Sequence, residues 1–214
     1  MSTSTPPSDR AIPPVVTIFE SYGSGAEEVG PRVAEALGVA FHSQAFSSEE
    51  LEGSAEPRDE GLLSRVFAVM GGSYAALEGP AVAMAQRDDH EMVLRNTQWV
   101  MDAARSGAVI VGRNGAFILA SWPGALHVRL DAAAELRVER AARIGGITPG
   151  RAAKRQRRED ELRADMSIRF YGWDPRDPSR YDLVLNTGTL GPEACVDIIV
   201  HAGRVKAART IPTP

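Results

Sequence analysis

The chain has 214 residues, of which 43% are apolar and 24% charged, and its formal net charge is −4. These values are ordinary for a globular protein with one substantial core, and they argue against wholesale attraction to nucleic acid or membranes. No apolar run approaches the roughly 20 residues that a membrane span needs. The single cysteine, Cys195, cannot form an internal disulfide. We therefore expect a cytoplasmic protein, with flexible segments at residues 1–14 and 205–214.

The first predicted element is a strand at Val15–Phe19, which is short, apolar and β-branched, as buried parallel strands are. A glycine-bearing turn follows, and then a helix that ends at Gly38, a C-terminal cap. Residues 39–107 are predicted to be mostly helical, with a longer helix from residue 88 or 89 to residue 106.

The second half of the chain alternates strands and helices. Its predicted elements are strands at Ala108–Val111, Ala125–Leu130 and Leu183–Leu185, a helix at Ala132–Ile144, a very basic helix opened by Thr148-Pro149, and a closing helix from Pro192. Such alternation predicts a parallel sheet that is covered on both faces. Ligands bind sheets of this kind beyond the carboxyl ends of the strands.

The loop Tyr22–Gly30 connects the first strand directly to a helix and contains three glycines. Glycines let backbone N–H groups turn inward, and the start of a helix adds partial positive charge. The backbone alone could therefore hold a phosphate group here. The alternative is a tight turn without a ligand, because a Gly-Ser-Gly run by itself is weak evidence.

Further motifs follow in the same order along the chain. They are Val109–Arg113 with Asn114–Ala116 and Ile118-Leu119, Asp160 with Arg163, Asp177–Leu183, and Asn186-Thr187 with Leu190-Gly191. Together with Phe19–Gly30, these motifs resemble the bacterial cytidylate kinase-like family, a divergent branch of the P-loop nucleoside monophosphate kinases. That family typically has Ser-Arg-Glu-Phe-Gly-Ser-Gly-Gly-Arg-Glu-Ile-Gly where this chain has Phe19–Gly30.

The resemblance implies a P-loop NTPase-type α/β fold, a three-layer α/β/α domain with a five-stranded parallel sheet. This single nucleoside monophosphate kinase-like domain would span residues 15–204. Its nucleoside monophosphate-binding region would be mostly helical and span residues 39–107, and a basic helical lid would span residues 146–180. Residues 137–180 hold 12 Arg or Lys and 7 Asp or Glu, a local charge of +5 that leaves −9 for the rest of the chain.

The resemblance also implies roles for individual residues, with ATP as donor and Mg²⁺ as its metal. Donor phosphates would be bound by Gly23, Ser24, Gly25, Ala26, Glu27 and Glu28, and the acceptor by Arg113, Asn114 and Ser43. Catalysis would involve Arg158, Arg163 and Asp160. Phosphate or base would also be contacted by Arg137 and Arg140. We expect Asp160 to orient Arg163 rather than to transfer protons. A solvated basic helix is the alternative explanation of the charge, and it accounts for Lys154 and Arg155.

Three positions in the loop or just before it depart from the family pattern. Ordinary P-loop kinases carry lysine where Ala26 stands, and relatives in this family usually have arginine where Glu20 and Glu27 stand. Acids beside a phosphate site repel the phosphate unless a cation intervenes. Mg²⁺ held partly by Glu28 or Glu27 would supply that cation, and lid arginines would be another source. The remaining alternative is a donor site that has decayed.

The leading interpretation is an ATP-dependent nucleoside monophosphate kinase-like phosphotransferase, with cytidylate as default acceptor by resemblance only. The alternative is a non-catalytic sensor that binds a nucleotide or a nucleotide-derived cofactor through a degenerate loop. Nucleic-acid binding by the basic lid is disfavoured, because the chain is acidic overall. The expected partners are therefore small nucleotides, with no nucleic acid and no membrane, and a homo-oligomer is left open.

Overall fold

The computed structural model describes residues 12–44 and 80–208. Their five strands are β1 (Val15–Glu20), β2 (Ala40–His42), β3 (Ala108–Val111), β4 (Ala125–Asp131) and β5 (Leu183–Asn186). All four strand pairs are parallel, and the strand order is β2-β3-β1-β4-β5. The expected five-stranded parallel sheet is thus confirmed.

Six α-helices lie in the described residues: α1 (Ala26–Leu37), α2 (Pro80–Arg105), α3 (Gly115–Ile118), α4 (Ala134–Gly145), α5 (Pro149–Tyr171) and α6 (Thr187–Ala208), with a 3₁₀ turn at Pro178–Arg180. The predicted cap of the basic helix α5 is present, since Thr148 Oγ1 accepts a hydrogen bond from the Arg151 N–H at 3.3 Å. Helix α6 bends at Gly191, whose φ of 75° is left-handed, so its second part begins at Pro192 as predicted. No helix in these ranges is both long and apolar enough to cross a bilayer.

Two elements differ from the prediction for residues 39–107. This region opens with β2, a three-residue strand, instead of a helix. Helix α2 begins at Pro80, eight residues before the earlier of the two predicted starts, and proline is well tolerated in a first helical turn. Residues 45–79, most of the predicted monophosphate-binding region, lie outside the described residues.

Apolar side chains cover both faces of the sheet, which makes three layers. On one face the strands pack against α1 and α6 through residues such as Val33 and Ile199, both fully buried. On the other face they pack against α2 through Val100 and Ala104. A fully buried aliphatic side chain stabilises the fold by roughly 1.5–3 kcal/mol. This core fixes the carboxyl ends of β1, β3 and β4 along one edge of the sheet, where the predicted site residues are found.

Candidate functional site

The loop between β1 and α1 has the backbone geometry of an anion-binding turn. Gly23 and Gly25 have φ values of 82° and 92°, a left-handed conformation that glycine adopts without strain. A Cβ atom on Gly23 would lie 2.5 Å from the carbonyl oxygen of Arg137, so the loop lies directly against α4. The loop leads straight into the first turn of α1, where N–H groups have no partner within the helix.

Two carboxylates already bind this loop. The Tyr22 N–H donates to Asp160 Oδ1 at 2.7 Å, and the Ala26 N–H donates to Glu20 Oε2 at 2.9 Å. Asp160 belongs to α5 and Glu20 ends β1, so the loop is held from two sides. The loop therefore binds negative groups of its own chain through its backbone.

Three other N–H groups of the loop remain available. Those of Gly23, Gly25 and Glu27 meet no acceptor within the described part of the chain. All three residues line a cleft of about 740 Å³, which we call the loop cleft. Helices α4 and α5 contribute Arg140, Arg155 and Arg163 to its other walls. The remaining lining residues are Glu20, Tyr22, Glu28, Gln44, Ala141, Ile144 and Gly145. The cleft thus combines free backbone donors with three guanidinium groups.

A second cleft, of about 690 Å³, opens at the carboxyl end of β3 and contains Arg113; we call it the Arg113 cleft. Arg113 and Asn114 have φ values of 54° and 55°, which is unusual for two consecutive non-glycine residues. Each such residue costs of order 1–3 kcal/mol, and such strain concentrates at functional sites. The Asn96 Nδ2 group donates to the Arg113 carbonyl at 2.9 Å and to the Tyr171 hydroxyl at 2.8 Å. Helix α2 and the end of α5 thereby support this turn.

The Arg113 guanidinium has no carboxylate partner among the described residues. It lies 4.2 Å above the Trp99 ring, and its Nε donates to the Ser43 carbonyl at 3.4 Å. Burial lowers the pKa of Arg113, which reflects the cost of holding an unpaired cation there. A guanidinium in this state is suited to bind an anionic group of a ligand.

The two clefts share one wall, formed by Glu20, Gln44 and Arg163. Glu20 is only 7% exposed, and its Oε1 accepts a hydrogen bond from Gln44 Nε2 at 3.0 Å. Arg163 Nη1 lies 3.8 Å from the same oxygen and donates to the Glu20 carbonyl at 3.2 Å. Burial raises the pKa of Glu20, although Arg163 and the Ala26 N–H act against this rise.

Helix α5 carries two ion pairs close to the glycine loop, one to α4 and one within α5 itself. Asp160 Oδ2 accepts from Arg137 Nη1 at 2.7 Å, while Glu159 Oε2 accepts from Arg163 Nη2 at 2.8 Å. The expectation that Asp160 orients Arg163 is therefore wrong. The carboxylate that binds Arg163 is that of Glu159, which stands four residues earlier on the same helix face. Asp160 instead joins α5 to both the loop and α4.

The structure brings together most of the predicted site residues, but not all of them. Arg140 lines the loop cleft and donates to the Gly23 carbonyl at 3.1 Å. Arg158, predicted to be catalytic, is exposed and lines neither cleft. Ser24 is buried, and its hydroxyl has no partner among the described residues. Ser43 contributes its backbone carbonyl to Arg113, as described above.

Sequence reasoning missed three residues of the site. The solvated basic helix that the sequence suggests for Lys154 and Arg155 does not account for Arg155, which is 7% exposed and lines the loop cleft. Its spacing from Arg163 could have indicated this position. Arg155 precedes Arg163 by eight residues, about two helical turns, so the two side chains lie on a similar side of α5. Gln44 and Asn96 carry no local signal in the sequence. Their roles arise only where β2 and α2 meet β1 and β3.

The chain is similar to known proteins in sequence and in fold. The chain matches the cytidylate kinase-like family over residues 15–189. It is 30% identical to a cytidylate kinase of Ignicoccus hospitalis over 186 residues, which is 86% of this chain and 96% of that protein. It is 39% identical to a uronate isomerase of Corynebacterium glutamicum over 111 residues, which is 52% of this chain and 21% of that protein. The chain thus spans about one fifth of the length of the uronate isomerase.

Among solved structures, an uncharacterized protein from Eubacterium ventriosum shares the fold with a TM-score of 0.63. It is 17% identical and is covered over 98% of its length, with 89% of this chain. The match over residues 15–189 takes in both clefts and confirms the resemblance that the sequence motifs indicated. The chain belongs to the cytidylate kinase-like family.

Proposed function

We propose that the chain is an ATP-dependent nucleotide kinase-like phosphotransferase, in which the loop cleft binds the donor and the Arg113 cleft binds the acceptor. The observation that carries this proposal is the wall shared by the two clefts, which contains Glu20 and Arg163. Two ligands that meet at such a wall have their reacting ends close together, as direct phosphoryl transfer requires. Cytidylate is the acceptor that the related cytidylate kinases suggest.

Donor phosphates would be held by backbone N–H groups of the loop together with guanidinium groups. The N–H groups of Gly23 and Gly25 are available, as described above. Arg140, Arg155 and Arg163 supply positive charge in the same cleft, although no lysine follows Gly25. Phosphoryl transfer depends mainly on positioning and on cations that offset the charge of the transferring group. These arginines therefore take the part that the lysine plays in ordinary P-loop kinases.

Glu27 and Glu28 fit a role as partial ligands of a nucleotide-bound Mg²⁺. Both are exposed in the first turn of α1 and line the loop cleft. Mg²⁺ commonly takes one or two carboxylates together with phosphate oxygens and water. In the described residues, no group of three or more His, Cys, Asp or Glu side chains forms a metal site of its own. The ion would therefore enter with the nucleotide and neutralise part of the phosphate charge.

The acceptor would be bound through its anionic group by Arg113, which has no carboxylate partner among the described residues and is held in place by the turn. Asn114 lies beside it and accepts a hydrogen bond from Trp173 Nε1 at 2.9 Å through its Oδ1. This bond orients the Asn114 amide, and Asn114 lines the Arg113 cleft together with Trp173 and Asn96. Arg113 and Asn114 together would fix the acceptor at the carboxyl end of β3.

The test is phosphoryl transfer by the purified protein with ATP, Mg²⁺ and a panel of acceptors, followed by ³¹P NMR. We expect ADP and one phosphorylated product, with an active cytidylate kinase as the positive control. Absence of any phosphorylated product, while the control turns over, would refute the proposal.

A non-catalytic nucleotide sensor is the second candidate. It is favoured by Ala26 at the lysine position and by the Glu20 carboxylate that already binds the Ala26 N–H. A sensor would be stabilised against heat by a nucleotide, because ligand binding to the folded state raises stability. It would release no product in the same incubation. Thermal shift and product formation, measured on one sample, separate the two candidates.

A further inference from the structure

Every second backbone N–H group at the start of the glycine loop donates to an acceptor of the chain itself. These donors are the N–H groups of Tyr22, Ser24 and Ala26, at 2.7, 3.0 and 2.9 Å from their acceptors. The N–H groups between them, those of Gly23 and Gly25, meet no acceptor among the described residues. Both glycines line the loop cleft. The directions of these two free donors therefore decide how the loop can bind an anion.

A free N–H group can be oriented through the carbonyl of the same peptide. A trans peptide is planar, so the carbonyl oxygen of one residue and the N–H group of the next point in opposite directions. The Gly23 N–H group shares a plane with the Tyr22 carbonyl, and the Gly25 N–H group shares one with the Ser24 carbonyl. A side chain that binds either carbonyl therefore fixes the direction of the N–H group on the other side of that peptide.

Thr187, the first residue of α6, binds the Ser24 carbonyl. Its Oγ1 donates to that oxygen at 2.8 Å, and the residue is only 2% exposed. A hydroxyl has a single proton, and a second carbonyl, that of Asp131, lies farther away at 3.4 Å. The same Oγ1 accepts from Arg140 Nη1 at 3.1 Å, so the hydroxyl is itself oriented. The Gly25 N–H group must then point away from Thr187.

Arg137, on α4, binds the Tyr22 carbonyl. Its Nη1 donates to that oxygen at 3.2 Å and to Asp160 Oδ2 at 2.7 Å. Its Nε donates to the Ala132 carbonyl at 3.1 Å, and its side chain is 12% exposed. The guanidinium is thus bound by oxygens of the chain itself, and the Gly23 N–H group must point away from it.

We infer that Thr187 and Arg137 are positioning residues of the donor site. Each fixes the direction of one free glycine N–H group through the carbonyl of the same peptide. Both act from outside, because neither lines the loop cleft or the Arg113 cleft. This inference rests on the proposed binding of ATP in the loop cleft. Donors that are oriented beforehand bind an anion without the cost of reorganising the loop.

The experiment compares ATP binding by the wild-type protein and three variants in calorimetric titration with Mg²⁺. Thr187→Val lacks the hydroxyl but has a similar shape, and it should raise the Kd for ATP about tenfold, as expected when one hydrogen bond to a charged group is weakened. Thr187→Ser keeps the hydroxyl and should restore the affinity. Thr189→Val is the matched control and should leave the Kd unchanged. It removes an exposed hydroxyl of the same helix, which donates to the Asn186 carbonyl at 3.2 Å.

Two further readouts separate positioning from a general loss of structure. In ligand-free Thr187→Val the Gly25 amide resonance should shift, because its N–H group is no longer fixed. The KM for the acceptor should not change, because neither Thr187 nor Ser24 lines the Arg113 cleft. A general loss of structure would raise the KM for the acceptor as well, and that result would contradict the positioning role.

If Thr187→Val does not fold, the wild-type protein provides the test. Residual dipolar couplings measure the directions of N–H groups in solution. We expect the directions of the Gly23 and Gly25 N–H groups to be the same before and after saturation with ATP and Mg²⁺. Reorientation of either group by ATP would overturn the inference, because the donor would not have been fixed beforehand.

Two results distinguish failure of this inference from failure of the proposed function. Unchanged ATP affinity in Thr187→Val, with ATP bound by the wild-type protein, would overturn the positioning role and leave the phosphotransferase in place. Absence of ATP binding by the wild-type protein would overturn both.

Discussion

The substitution Gly23→Ala tests whether the glycine loop depends on its close approach to α4. Alanine would have to adopt the left-handed φ of 82°, which costs roughly 1–2 kcal/mol. Its Cβ would also lie 2.5 Å from the Arg137 carbonyl oxygen, so the loop or α4 must shift, which typically costs about 1–3 kcal/mol. The two contributions together predict a loss of about 2–5 kcal/mol in the free energy of unfolding.

Gly38→Ala is the matched control, because Gly38 also has a left-handed φ, of 70°, but has nothing within 4 Å of its added Cβ. It should lose only the first contribution, roughly 1–2 kcal/mol, in urea denaturation. Calorimetric titration should show ATP affinity reduced at least tenfold in Gly23→Ala and within about twofold of wild type in Gly38→Ala, since only Gly23 lines the loop cleft. Equal losses of stability in the two variants, with ATP affinity unchanged in both, would refute the reasoning.

Three further predictions concern single side chains. Arg163→Ala should lower the free energy of unfolding by about 3–5 kcal/mol in urea denaturation, because it removes the guanidinium that lies 3.8 Å from the buried Glu20 carboxylate and donates to Glu159 at 2.8 Å. A loss below about 1 kcal/mol would contradict the buried network. Arg155→Ala should weaken ATP binding about tenfold in calorimetric titration. Arg158→Ala should leave ATP binding unchanged, because Arg158 is exposed and lies outside both clefts. A larger loss of ATP affinity in Arg158→Ala than in Arg155→Ala would show that a different face of α5 lies against the site. Arg113→Ala should raise the KM for the acceptor about 10–100-fold and leave the KM for ATP unchanged. If the KM for ATP rose more than the KM for the acceptor, the assignment of the two clefts to donor and acceptor would have to be reversed.

The fifth prediction concerns the pH dependence of stability. His127 is buried and its Nδ1 lies 2.8 Å from the Thr17 hydroxyl, and burial lowers its pKa below the ordinary 6.5. The unfolded chain therefore binds the proton first, and this contribution to stability is present above pH 6.5 and is lost as the pH falls below it. His127→Gln should show a shallower fall of stability between pH 7 and 5 in urea denaturation. An identical slope in both proteins would show that His127 does not contribute.

The sheet could be predicted from the sequence because its central strands β1 and β3 are almost wholly apolar runs. Ala108–Val111 is buried at every position, so local composition alone identifies it. The strand Ala40–His42 could not be predicted, because three partly exposed residues at the edge of the sheet show no apolar periodicity. The bend at Gly191 could be predicted, since the following Pro192 favours the start of a new helix.

The glycine loop and Arg113 could be proposed as site residues because a strand, a turn and a helix follow one another locally. The inward face of α5 could not, since a helix with basic residues on several sides does not reveal which side docks. The way in which α5 packs in the folded chain decides it, with Arg155 buried and Arg158 exposed. The direction of the Glu20 side chain likewise depends on Gln44, which is 24 residues away in the chain.

The most direct test of the account is an NMR titration of the ¹⁵N-labelled protein with ATP and Mg²⁺. The central claim is that backbone N–H groups at the β1–α1 junction hold the donor phosphates without a lysine. The account predicts large, saturable shifts of the Gly23, Gly25 and Glu27 amide resonances. Saturable ATP binding that leaves these three resonances in place would contradict it.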